Sequence, residues 1–273
     1  MQNQLEYLQS KLQNEPDLKY VLIASNWQTD FLRFYHSQTN YNISKSSTSL
    51  GVTLYKGRKS YRFSVDDPQK DKLDQALGLA LSVIDSLPED PDFVDVENEN
   101  SLAPKREIVN NIAAIPLESK TRILAELAEA AKPFDFEIFG TFICNYSEHH
   151  LVNSNGLNKK AAVSPIYLEV KAVHNQSQVT VMETFGGDDF SLFNLADFKA
   201  RLLNKIGYCS AETLDIEPGH YEVILAPRCL AEFVQYLSFG MSARALDQHS
   251  SFFEGKIDQK LFPDFVSITD DPT

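Results

Sequence analysis

Gly51-Val-Thr-Leu-Tyr-Lys-Gly-Arg-Lys-Ser-Tyr-Arg-Phe-Ser-Val65 reads as a β-hairpin. Gly51–Tyr55 and Tyr61–Val65, rich in β-branched and aromatic residues, flank Lys56-Gly57-Arg58-Lys59. That loop is polar, of hairpin length, and carries a glycine that can supply positive φ. On the N-terminal side, Tyr41–Ser49 is polar but β-capable. Phe31–Gln38 places Phe31, Arg33, Tyr35 and Ser37 on one face and Leu32, Phe34 and His36 on the other. Lys19–Ser25 is an apolar run too short for a helix. Lys19–Val65 is therefore expected to be an antiparallel meander of several strands. Leu5, Leu8 and Leu12 mark a short amphipathic helix before it.

Beyond the meander, Asp66-Asp67-Pro68 offers a cap and a first-turn proline to a helix whose apolar face is Leu73, Leu77, Ala80, Leu81 and Ile84. Asp85–Glu99 is acidic, with Pro88 and Pro91, and reads as a solvated loop; the EF-hand spacing that would make it a calcium site is missing. Glu118–Lys132 is a helix striped by Ile123, Leu124, Leu127 and Ala131, with Glu118 and Arg122 four apart and Pro133 as its stop. Phe134–Tyr146 reads as a long strand and Asn153-Ser-Asn-Gly156 as a turn. Ile166–His174 and Gln178–Thr184 are two further strands. Asn194 caps a helix with Leu195, Phe198, Leu202 and Ile206 inward, closed by Gly207. Segregated strands and helices in this order give an α+β fold with antiparallel sheets in an N-terminal domain, residues 1–216. A second domain, residues 217–273, begins near Glu217-Pro-Gly219. Its strand Tyr221–Ala226 ends at Pro227, and a helical pattern follows on Leu230, Phe233, Val234, Leu237 and Met241.

The chain has 25 Lys+Arg against 38 Asp+Glu, a formal charge of -13. Broad phosphate-backbone binding needs clustered cations, so direct nucleic-acid contact is not expected. Three cysteines, Cys144, Cys209 and Cys229, with no CxxC, suggest neither a disulfide framework nor a zinc ribbon. The N-terminus lacks the basic start and apolar run of a signal peptide, and no apolar run nears the ~20 residues of a membrane span. The expectation is a cytoplasmic protein with no membrane contact.

The residues that could carry chemistry have plainer readings beside them. Glu148-His149-His150 holds potential metal ligands, but neighbouring side chains on a strand point to opposite faces. Turn-edge surface residues are the simpler reading. His36 sits in an aromatic strand as a half-buried histidine. Gly186-Gly187-Asp188-Asp189 lacks a following Lys-Ser/Thr and is a loop, not a phosphate cradle. Cys144 has histidines within six residues, yet proximity in sequence does not place a base beside a nucleophile. No GxSxG, HExxH or HExxxH pattern occurs.

Taken in order and spacing, several stretches resemble the TldD/PmbA family, also called the modulator-of-DNA-gyrase family, which includes metalloproteases. They are Ser49-Leu-Gly-Val-Thr-Leu-Tyr55 with its Gly-Arg turn and Asn153-Ser-Asn-Gly-Leu157. The others are Tyr221-Glu-Val-Ile-Leu-Ala-Pro227, Ser250-Ser-Phe-Phe-Glu-Gly-Lys256 and Ile268-Thr-Asp-Asp-Pro-Thr273. The TldD kind of subunit looks like a zinc protease, with an HExxxH helix after the strand-proline element. The resemblance implies that the two histidines of that motif, five residues apart, both bind one metal, with the glutamate as general base. Laid on this chain from Pro227, the motif positions hold Gln235, Tyr236 and Gly240, and the nearest histidine is His249.

The resemblance therefore implies a PmbA (TldE)-like member that lacks the HExxxH motif. It would have no catalytic, cofactor-binding or metal-binding residues of its own and would not be catalytic alone. Zinc is expected in a TldD-like partner subunit, met as a heterodimer, with a homodimer as the other assembly. The substrate class implied is small or unfolded peptides, processed or degraded in the cytosol. The alternative is a non-proteolytic regulatory binding protein acting on DNA gyrase or a toxin–antitoxin pair. Family members continue beyond the Asp-Asp-Pro-Thr stretch, so the chain is expected to hold only the beginning of a second, β-rich domain.

Overall fold

A computed structural model describes residues 2–97, 108–209 and 214–269. The chain divides into two compact units, Met1–Glu212 and Thr213–Thr273. The first unit runs α1 (Gln2–Leu12), β1 (Leu18–Tyr35), β2 (Gln38–Lys56), β3 (Lys59–Asp66), α2 (Lys70–Val83), α3 (Asn111–Ala114) and α4 (Leu117–Ala131). It continues with β4 (Phe136–Asn153), β5 (Asn158–Val163), β6 (Ile166–His174), β7 (Thr180–Gly187) and α5 (Leu195–Tyr208). The strands form one antiparallel sheet in the order β3-β2-β1-β4-β6-β7, with β5 paired to the other end of β4. The α+β class with antiparallel sheet is thus the observed one.

The hairpin at Lys56–Lys59 forms as read, with Gly57 at φ 58° and Lys56 paired to Lys59. Lys19–Ser25 and Phe31–Tyr35, expected in separate strands, lie in one strand of 18 residues; His36 and Ser37 turn the chain, and Gln38, Tyr41–Ser49 and Gly51–Tyr55 belong to one of 19. The reason lies in the packing. Leu18, Tyr20, Leu22 and Ala24 of β1 are buried in a cluster with Leu5, Leu8 and Leu12 of α1 and Leu73, Leu77 and Ala80 of α2. Leu32 and Phe34, of the same parity and so on the same sheet face, are buried with Ile123, Leu124 and Leu127 of α4 and Phe198, Leu202 and Ile206 of α5. One strand therefore runs beneath two separate helical layers, and its polar middle, Ser25–Asp30, spans the interval between them. Each fully buried Leu, Ile or Phe contributes about 1.5–3 kcal/mol.

The opposite face carries Ile23, Trp27, Phe31, Tyr35, Tyr41 and Ile43, several of them about half exposed. Phe31 and Tyr41 meet edge-on at 5.9 Å, and Arg33 lies over the Tyr41 ring. Antiparallel sheets commonly leave one face free of helices in this way.

Other local readings shift for visible reasons. Pro68 does not enter the first turn of α2. Asp67 donates its N–H to Thr48 O and takes φ 47°, which keeps the chain on the sheet, and Gln69 becomes the N-cap. Gly207 lies inside α5, whose C-cap is Cys209, while the Asn194 side chain accepts the Asp197 N–H as a true N-cap. The strand read at Phe134–Tyr146 begins after a 3₁₀ turn at Lys132–Phe134 and continues to Asn153. β5 was hidden in Asn158-Lys-Lys-Ala-Ala-Val163, which has no apolar alternation.

Within the acidic stretch Asp85 and Ser86 close a 3₁₀ turn at Ile84–Ser86, and the chain is a loop from there to residue 97; residues 98 and 99 lie outside the described residues. It is pinned rather than free: Lys19 pairs with Asp95, and Arg58 Nε donates to Asp90 O at 3.0 Å. Asn153, the last residue of β4, and Asn155, in the turn after it, donate to Glu97 O and Val96 O at 2.5 and 2.6 Å. Gly156, at φ 88°, completes that turn.

The second unit has α6 (Pro227–Gly240) and α7 (Ala243–Asp247). Tyr221–Ala226, expected as a strand, has no strand pairing among the described residues, and an antiparallel strand needs a partner to form a ladder. Val223 and Ile224 are consequently exposed. The helical pattern read on Leu230, Phe233, Val234, Leu237 and Met241 forms α6, with Met241 as its C-cap. No described helix is long and apolar enough to cross a membrane.

Candidate functional site

The position from which a metal site would be built is α6. Pro227, the first helical residue, fixes φ for the helix start at no hydrogen-bond cost, and Ala226 precedes it in extended conformation. Gln235 and Tyr236 face solvent, the Tyr236 ring lying 6.2 Å from Phe239. Gly240 is buried. A Cβ on it would fall 2.5 Å from the Phe252 ring, inside any permitted contact. Ser251 Oγ donates to Gly240 O, and its own oxygen accepts the Phe253 N–H at 3.0 Å, so Ser250–Lys256 folds back onto the helix end. His249, the nearest histidine, pairs through Nδ1 with Glu254 at 2.6 Å.

This arrangement does not fit zinc. A neutral amide, a phenol and a glycine are not the donor set of a catalytic zinc site, which takes three His, Glu, Asp or Cys ligands. Among the described residues, no three His, Cys, Asp or Glu side chains come together as a metal site.

The histidines near β4 separate as strand geometry requires. His149 lies opposite Ser25 on β1, with Nδ1 2.9 Å from Ser25 Oγ and Trp27 against its ring at 5.1 Å. His150 turns the other way and meets Asn158 of β5 at 2.8 Å, and Glu148 accepts from the Tyr146 hydroxyl at 2.7 Å. The Ser25–His149 contact joins a hydroxyl to an imidazole, but the second ring nitrogen has no acidic partner among the described residues, and a nucleophile's base needs such a group to orient it. His36, at φ 47° in the β1–β2 turn, pairs with Glu137. The Gly186–Asp189 loop is structural: Asp188 O accepts the Asn111 amide at 2.7 Å, and the Asp189 side chain caps a short 3₁₀ helix.

Cys144 is wholly buried, and burial is the largest influence pushing its thiol up from the ordinary value. A buried, protonated thiol is a poor nucleophile. In the native protein a thiol-titrating reagent is expected to label exposed Cys229 promptly and Cys144 only after unfolding. Labelling of Cys144 at a native rate would show that its strand opens locally.

Beside Cys144 stands a charged pair not anticipated from the sequence. Asp30 of β1 is paired in register with Cys144, and it accepts hydrogen bonds from Lys120 of α4 and from Ser44 of β2. Lys120 is 1% exposed and its ammonium lies 5.8 Å from the Phe142 ring centre. Burial pushes the Asp30 carboxyl up, but the Lys120 and Ser44 bonds outweigh it and hold the group below the usual carboxylate range. The sequence did contain the signal: Lys120 sits three, four and seven residues before Ile123, Leu124 and Leu127, in phase with the apolar stripe.

Residues 218–273 match the PmbA/TldA metallopeptidase C-terminal domain. No curated protein sequence matches the chain. Solved structures that share the fold include the following. A protein described as a candidate modulator of DNA gyrase from Thermotoga maritima superposes with TM-score 0.81 at 12% identity, over 94% of this chain and 59% of its own. TldE from Thermococcus kodakarensis gives 0.73 at 14%, over 93% and 58%. Another candidate modulator of DNA gyrase, from Bacteroides thetaiotaomicron, gives 0.72 at 14%, over 89% and 57%. The chain thus spans a little under three-fifths of the length of these structures. Over residues 218–273 the family match bears out the resemblance to the TldD/PmbA family read from the sequence, and the solved structures share the fold.

Proposed function

Starting from a chain of TldD/PmbA type, its C-terminal segment matching that family and its fold that of TldE, we propose that it is a metal-free, PmbA/TldE-like subunit of a TldD-type zinc metallopeptidase. The observation that carries the reading is α6: Gln235 and Tyr236 stand exposed at two motif positions, and the third is Gly240, which has no side chain to bind a metal. In this role the chain shapes a peptide chamber and offers strand edges along which an extended peptide lies. Zinc, the Lewis acid and water-activating group of such an enzyme, belongs to the TldD-like partner.

The test is metal content and peptidase activity of the purified chain, alone and mixed with a TldD-like subunit. Alone, it is expected to hold no stoichiometric zinc and cleave no peptide. In the mixture, chelator-sensitive cleavage is expected, with zinc following the partner. Chelator-sensitive hydrolysis by the pure chain would sink the proposal.

A further inference from the structure

We propose that the free edge of β2 pairs with the same edge of a second copy of this chain, antiparallel and centred on Ile43. β3 covers β2 only from Ser49 to Lys56, and Asp67 takes up Thr48 O. Before that point, every residue from Gln38 to Ser47 is exposed, and no described strand pairs with that side. Such an edge presents a row of unpaired N–H and C=O groups to any matching strand.

The sequence of the edge determines which strand it fits. A two-fold axis perpendicular to the sheet keeps like faces together and pairs residues whose numbers are equally spaced about the centre. With the axis at Ile43, Ile43 meets Ile43, Asn42 meets Ser44, and Tyr41 meets Lys45. Ile43 and Tyr41 lie on the helix-free face, 40% and 46% exposed, and would cover one another's apolar surface. Lys45, the only charge in this stretch and the kind of residue that discourages edge pairing, falls opposite an aromatic ring rather than another cation. An axis at Ser44 would set Ile43 against Lys45 and Tyr41 against Ser47, matching apolar groups with polar ones.

The irregularity in the β1–β2 register between Arg33 and Phe34 leaves Asn40 as an extra residue. Bulges of this kind end pairing, so the joined segment is short and the dimer reversible. Its Tyr41 rings would extend the aromatic row begun by Trp27 and Phe31 across both copies. The inference concerns self-association and stands apart from the subunit role proposed above.

Site-specific disulfide capture of the full chain tests it, in a Cys209→Ser, Cys229→Ser background. Two cysteines at the axis would have Cα atoms about 4.5–5.5 Å apart, within disulfide reach. Ile43→Cys is therefore expected to form a covalent dimer under mild oxidation. Ser47→Cys, about 27 Å from its own copy at strand rise, is expected to stay monomeric. Ile43→Lys places like charges in contact and is expected to weaken association measured by sedimentation by about tenfold or more, with the thermal transition unchanged. Absence of crosslinking at 43, or stronger crosslinking through Ser44→Cys, overturns the proposal. So does a chain that is monomeric alone but loses binding of a TldD-like subunit on Ile43→Lys, since the edge would then serve a different partner.

Discussion

Lys120→Ala is expected to destabilise the first unit by about 3–5 kcal/mol, read as a fall in the denaturant midpoint. The large effect comes from what the substitution leaves behind. Asp30 would remain beneath α4 with only the neutral Ser44 hydroxyl donating to it, and a buried carboxylate without its cation bears the full cost of desolvation. Replacing both members, Lys120→Met with Asp30→Asn, is expected to recover much of the loss, because the cost lies in the unpaired charge and not in the missing pair. The pH dependence has a definite sign. The folded-state pKa of Asp30 is lowered, so its contribution is present above the unfolded-state value near 3.9. It is lost as pH falls through the lower folded-state value. Wild-type stability should thus decline in acid more steeply than that of the double variant. Equal acid sensitivity of the two would show that Asp30 is not a charged, paired group in the fold.

Gly140→Ala is expected to cost a similar amount, about 3–5 kcal/mol, from two sources acting together. Gly140 takes φ 146°, a conformation that L side chains rarely adopt. A Cβ there would also lie 2.0 Å from Glu169 O and 2.7 Å from the Phe34 ring. The first of these atoms is backbone of β6, so it cannot swing aside as a side chain would, and β4 and β6 would be forced apart. Gly57→Ala, at φ 58° but with open space around it, serves as the control. Its cost should be only the conformational part, about 1 kcal/mol. If both substitutions cost the same, the close approach at Gly140 is not the cause.

These two positions mark the boundary of what could be read in advance. Glycine at 140 sits in a run, Phe139-Gly-Thr-Phe142, that alternates like any strand, and nothing local reveals that another strand's carbonyl occupies the place of its side chain. The hairpin at Lys56–Lys59, the α4 stripe and the Asn194 cap were legible because each is decided within a few residues of itself. The length of β1 was not. Ser25-Asn-Trp-Gln-Thr-Asp30 looks like a break until the two helical layers at its ends are seen. Tyr221–Ala226 has the composition of a strand, but strand formation depends on a partner that composition does not name. At α6 the sequence showed which residue types stand at the motif positions. That Phe252 fills the space over Gly240 required the return of Ser250–Lys256 onto the helix end, a tertiary event.

The pairing of β1 with β4 joins residues more than 100 positions apart, from Phe34 with Gly140 to Val21 with Asn153. On a ribosome, β1, β2 and β3 emerge and can close their local hairpins long before β4 exists. During that interval the long central strand has one flank unsatisfied, and the nascent chain carries an apolar, hydrogen-bond-hungry surface into a crowded cell. Loop closure over such a distance makes the final zipping slow relative to hairpin formation. The vulnerable species is therefore the half-made sheet, and chaperone dependence during synthesis should exceed anything suggested by the stability of the finished protein.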